Sequence, residues 1–158
     1  MKPASISDIK QELNNLAPAK LLDLCLRLAK YKKDNKELLN YLLFEAHDEQ
    51  GYIIALKKQV EDDFEEINKS NLYFVKKSLR KILRNIAKHI RYTSSKQAEV
   101  ELLVHFCHTL KNAGIPLKNS IVLNNLYQFQ LKKVAKIIAT LHEDLQYDYL
   151  KEVESLSL

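Results

Sequence analysis

Glycine is nearly missing from this 158-residue chain, occurring only at Gly51 and Gly114. Proline is almost as scarce, at Pro3, Pro18 and Pro116. Sheet proteins need turn residues every several positions, and this chain does not supply them. Two isolated glycines cannot build a glycine-rich phosphate loop, so P-loop and dinucleotide fingerprints are excluded. The G-x-S-x-G elbow and the kinase signatures are absent as well. Cysteine occurs twice, at Cys25 and Cys107, with no C-x-x-C pair, which leaves no zinc ribbon or thioredoxin-like motif. H-E-x-x-H and the paired Glu-x-x-His pattern of di-iron bundles are missing too. Tryptophan is absent. No apolar run approaches the length of roughly 20 residues that a membrane-spanning helix needs. The opening MKPASISDIKQEL lacks the apolar core of a secretion signal. These absences predict a cytoplasmic protein with free thiols, no cofactor and no membrane partner.

What is present is helical material. Leu, Lys, Glu and Ala are abundant, all strong helix formers. Hydrophobic residues make up 46% and charged residues 28% of the chain. That balance is enough for an ordinary globular core. We therefore expect one all-α domain over residues 1–158. It would hold about seven antiparallel helices, as a compact bundle or a short HEAT-like stack of helical hairpins.

Local signals place the helices. Ser5 with Asp8 three residues on resembles a capping box for the first. Pro18 suits the first turn of the second, LLDLCLRLAKYKK, whose apolar residues cover more than half the circumference and predict a central position in the core. Asp34 with Glu37 reads as the start of a third, ELLNYLLFEA. Asp48 caps a fourth, with the stripe Ile53, Leu56, Val60, Phe64 and Ile67. Asn71 starts a fifth. Thr93, Ser94 and Ser95 end it and cap a sixth, which stops at Gly114 and Pro116. A last helical region from about Asn119 is expected to break near His142.

The charge of the chain is unevenly placed. The formal net charge is +5. Residues 76–96 alone hold eight cations and no acid, so the remainder carries −3. KKSLRKILRNIAKHIR, residues 76–91, contains three of the four arginines. On a helix, Val75, Leu79, Ile82, Leu83, Ile86 and Ile90 share one stripe. Arg80, Arg84, Lys88 and Arg91, with Lys76, Lys77 and Lys81, share the other face. The acids of EDDFEE, residues 61–66, would face Lys76, Lys77 and Arg80 in an antiparallel hairpin. Arg84, Lys88 and Arg91 would then have no sequence-local counter-charge. Arginine offers a planar bidentate fork for phosphate or carboxylate. Tyr73 and Tyr92 at the helix ends could stack on bases.

A second constellation lies in ELLVHFCHTL, residues 101–110. Glu101, His105 and His108 stand at i, i+4 and i+7 and share a face, while Cys107 points the other way. With a ligand from another helix, His142 or Glu143, they could hold a metal. One helix cannot encircle an ion, and the plainer reading is a solvated face with an i,i+4 pair of Glu101 and His105.

The function expected from this reading is a non-catalytic interaction or scaffold module. Its partner would be another protein, engaged through Arg80, Arg84, Lys88 and Arg91, and a homo-oligomer is compatible with it. Nucleic-acid binding through residues 76–91 is the alternative, and a metal-dependent enzyme using Glu101, His105 and His108 a distant third.

Overall fold

The computed structural model describes residues 2–158. The fold is all-α, with no strand among the described residues. The α-helices are α1 (Ile6–Asn14), α2 (Pro18–Tyr31), α3 (Lys33–Asn40), α4 (Glu49–Glu65), α5 (Leu72–Thr93), α6 (Lys96–Asn112), α7 (Ile121–Ile138) and α8 (Glu143–Ser155). By its packing the chain divides into two compact units, Met1–Glu45 and Ala46–Leu158.

In the first unit, Ser5 and Asp8 close a full capping box over α1. Pro18 stands at the first position of α2, where its missing N–H costs nothing. The Asn35 side chain donates to the Leu28 carbonyl at 2.9 Å. That bond satisfies an orphan acceptor at the end of α2. α3 begins ahead of the expected Asp34 cap. Lys32 is its N-cap, and Asp34 lies in the first turn, where its charge complements the helix dipole. The expected helix through residue 46 stops at Asn40. Tyr41–Glu45 widens into a π turn and Ala46–Asp48 tightens into a 3₁₀ turn.

The prediction for α2 is overturned. It was expected at the centre of a core, yet neither α1, α2 nor α3 contains a buried residue. Cys25, expected among buried apolar neighbours, is exposed. Periodicity shows that a face is apolar. It does not supply a chain segment to cover it.

The second unit has a dense core. α6 is its axis, packed against α4, α5, α7 and α8. Ala98, Val100, Leu102, Phe106, Cys107 and Leu110 on α6 are each fully buried. Ile53, Val60, Phe64 and Ile67 pack from α4 and the turn after it, as their spacing indicated. Phe64 meets Phe106 at 5.5 Å between ring centroids. Their planes are tilted, an arrangement that suits the ring quadrupoles. From α5, Val75, Leu79, Ile82 and Ile86 are buried, with Leu83 and Ile90 at the margin.

The caps at Asp48, Asn71 and Ser95 follow the sequence, and Ser120 adds one that was not expected. Asp48 accepts from the Gly51 amide at 2.9 Å. A Cβ on Gly51 would overlap the Asp48 carboxyl, so the glycine leaves room for the cap. Asn71, Ser95 and Ser120 cap α5, α6 and α7. The expected break falls at His142, the N-cap of α8. Gly114 takes a left-handed φ of 70° just after α6. Ser94 does the same at 52° after α5, and is the only non-glycine described residue to do so.

Four long-range bonds secure the helix ends. Lys69 donates to the Ala113 carbonyl at 2.6 Å. It places a cation at the negative end of α6. Lys111 donates to the Ser155 and Ser157 carbonyls at 3.0 and 2.7 Å, doing the same for α8. The buried Tyr127 hydroxyl donates to the Leu156 carbonyl at 2.6 Å.

Candidate interaction surfaces

α5 separates its faces as its sequence requires. Arg80, Lys81, Arg84 and Arg91 are exposed, and Lys76 and Lys88 are half-buried along their stems. The acids of α4 do not neutralise this face in the expected way. Glu61 approaches His105, and Asp62 pairs with Lys58 within α4. Asp63 accepts from Gln59 at 3.0 Å. Among the described residues, Arg80, Arg84 and Arg91 have no carboxylate at ion-pair distance.

The register also differs from the hairpin expectation. Asp63 and Gln59 line a groove with Lys81, Arg84, Asn85 and Lys88 rather than facing the first turn of α5. The first turns open onto a second, shallow groove of about 560 Å³, lined by Tyr73, Lys76, Lys77, Arg80, Leu83 and Arg84. Tyr73 is exposed there and meets the exposed ring of Phe74 edge to face at 5.5 Å. Tyr92, expected to be a stacking ring, is buried and packs against His89. His89 is partly buried, with Nδ1 2.6 Å from the Tyr52 hydroxyl.

Glu101, His105 and His108 do share one face of α6, but Glu101 and His105 are not solvated. α4 and α8 close over that face, leaving a polar cleft of about 390 Å³ whose walls include Lys57, Tyr149 and Glu152. Glu101 is only 12% exposed and accepts from Lys57 at 3.0 Å. It also accepts from the Tyr149 hydroxyl at 3.2 Å. The expected i,i+4 pair of Glu101 and His105 is replaced by these cross-helix bonds. His105 Nε2 instead lies 3.2 Å from Glu61 Oε1 without hydrogen-bond geometry. His108 is exposed beside Asn112.

Burial shapes the chemistry here. It holds the His105 imidazole below its ordinary range, with the nearby Lys57 and His108 acting in the same sense and Glu61 opposing. Burial pushes the Tyr149 phenol up to about 12, and the Glu101 charge adds to it. Desolvation likewise raises Cys107 to about 12 and Tyr127 to about 12. Neither the Cys107 thiol nor the Tyr127 phenol is poised to ionise near neutrality.

Among the described residues no group of three or more His, Cys, Asp or Glu side chains converges to hold a metal. His142, a suggested fourth ligand, turns back to its own helix and accepts from the Asp144 amide at 3.4 Å. The Glu101 carboxylate is already engaged by an ammonium. Lys57 and Tyr149, which define this cleft, were not legible beforehand. They lie 44 and 48 residues from Glu101, and no local pattern links them.

Among the described residues no helix is long and apolar enough to cross a membrane. No family model, curated protein or solved structure matches this chain.

Proposed function

We propose that this chain is a non-catalytic helical interaction module whose partner is another protein presenting an acidic surface to α5. The observation that carries the reading is the exposure of Arg80, Arg84 and Arg91 without a carboxylate of their own. Three guanidiniums spaced along a rigid helix can engage carboxylates bidentately with little ordering cost. Lys88 lies on the same face. The cytoplasm is the expected setting, in keeping with two unpaired cysteines, one of them exposed.

Nucleic-acid binding is the second reading, favoured by the groove that sets Tyr73 beside Lys76, Lys77, Arg80 and Arg84. An exposed ring next to phosphate-binding cations suits a single strand, where bases are free to stack.

One variant serves both readings: Arg80→Gln, Arg84→Gln and Arg91→Gln together in the full chain. Exposed charges contribute little to folding, so its urea midpoint should match the wild type. Capture from native-cell extract, with and without nuclease, should recover a nuclease-resistant protein partner that the variant loses at least about tenfold. Equal recovery by both proteins overturns the α5 reading. Recovery abolished by nuclease transfers the case to nucleic acid. Affinity for a labelled strand should then fall with salt at a log–log slope of about −3 to −4 for five phosphate contacts.

A further inference from the structure

We propose that residues 5–45 are a dimerisation arm, in which α1 of one copy seats in the α2–α3 groove of a second copy, reciprocally. The inference does not rest on the α5 reading. It starts from a unit that has helices and almost no core. Among its described residues, Tyr41 alone is buried. Its helices contain 9, 14 and 8 residues. Isolated helices below about 12–15 residues are marginal in water. A segment this small normally needs a disulfide, a metal or a partner subunit. Cys25 is unpaired, and no metal-ligating cluster is found among the described residues.

Both halves of an interface are present on the same chain. α1 carries Ile6, Ile9 and Leu13 at helical spacing, continued by Leu16 just beyond its end, and all four are exposed, Ile6 at 82%. α2 and α3 enclose an apolar groove of about 290 Å³, whose walls include Cys25, Leu28, Ala29, Leu38, Leu39 and Leu42. α1 leaves its stripe uncovered, so its own chain does not bury it. Charge favours the crossed arrangement. α1 holds Asp8 and Glu12 against the single Lys10. Residues 18–40 hold six cations against three acids. Seating α1 on the groove of a second copy brings opposite signs together, whereas pairing α2 with α2 opposes like charges.

The apolar area is of the right order. Six exposed large apolar side chains, Ile6, Ile9, Leu13, Leu16, Leu28 and Leu42, lie on the α1 stripe or in the groove. At roughly 150–200 Å² per large side chain, exposed by about half, they present about 500 Å² per copy. A stable complex buries roughly 800 Å² per partner, of which a little over half is apolar. A reciprocal exchange is closed by a two-fold axis, so the assembly stops at two.

The chain contains its own reporter. Cys107 is fully buried, so Cys25 is the thiol that a reagent such as dithionitrobenzoate can reach. Sedimentation of the full chain at about 1–100 μM should give a dimer whose Cys25 reacts at least tenfold more slowly than in the diluted monomer. Ile9→Glu should give a monomer with reactive Cys25 and an unchanged helical spectrum of residues 46–158. The Arg80/Arg84/Arg91 variant should remain dimeric, which separates this inference from the α5 reading. A monomer at every concentration overturns it, whether Cys25 is reactive or shielded by its own chain. So does a dimer that survives Ile9→Glu with Cys25 reactive, because its interface then lies elsewhere. If Ile9→Glu fails to fold, a wild-type urea midpoint independent of protein concentration is itself the refuting result.

Discussion

Glu101 is the most informative place to perturb this protein, because two readings of its face give different energies. Were the face solvated, the Lys57–Glu101 pair would contribute about 0–1 kcal/mol, the usual value for exposed ion pairs. The structure leaves Glu101 12% exposed and Lys57 29% exposed, with Tyr149 donating to the same carboxylate. Hydrogen bonds to charged, partly buried groups contribute about 1.5–3 kcal/mol. Discounting for the wetter lysine, we expect a coupling of about 1–2 kcal/mol. Lys57→Met keeps the alkyl stem and removes the ammonium. Glu101→Gln keeps an acceptor for Tyr149 and removes the charge. The two single variants and the double form a thermodynamic cycle, read by urea unfolding of the full chain with circular dichroism. The coupling should persist near about 1 M salt, since a partly buried pair is poorly screened. A coupling below about 0.3 kcal/mol would refute the junction and restore the solvated face.

Two further outcomes follow from the same unit. Ser94 holds a φ of 52°. Glycine adopts that conformation freely, so Ser94→Gly should raise stability by about 0.5–1 kcal/mol in the same urea assay. Ser94→Val should lower it. For His105, burial depresses the folded-state pKa below the ordinary 6.5. The unfolded chain therefore takes up its proton first as pH falls. The stability associated with neutral His105 is thus complete above pH 6.5 and lost as pH drops through the depressed value. His105→Gln should flatten that part of a pH–stability profile, and an unchanged profile would contradict the assignment.

Much of the fold was written in short-range signals. The caps at Ser5, Asp48, Asn71 and Ser95, the stop at Gly114 and the break at His142 each depend on a few neighbouring residues. Such interactions survive wherever the helix is later packed. The α4 and α5 core stripes were legible for a related reason: their periodicity names a face, and α6 was there to bury it. α2 had an equally clear apolar pattern, but packing against the short α3 leaves none of its residues buried. Its burial was misjudged because the pattern reports demand for cover and not supply. The cleft at Glu101 failed differently. Lys57 and Tyr149 come from helices remote from α6 in sequence, and which polar faces meet is decided by packing angles that no spacing rule encodes. Pairing the α4 acids with the start of α5 failed for that reason too.

The anchoring of α8 reverses a common order of events. Chain ends generally loosen first, since the last turn of a helix has carbonyls with no partner and little packed against it. Here the final turn is where long-range bonds concentrate: Lys111 holds the Ser155 and Ser157 carbonyls, and Tyr127 holds Leu156 from within the core. The other end, at His142, Glu143 and Asp144, stands in solvent. In amide exchange, protection along α8 should therefore climb toward residue 156, and opening should begin at the hinge after α7. Deleting residues 155–157 would remove a clasp that holds α8 to the core.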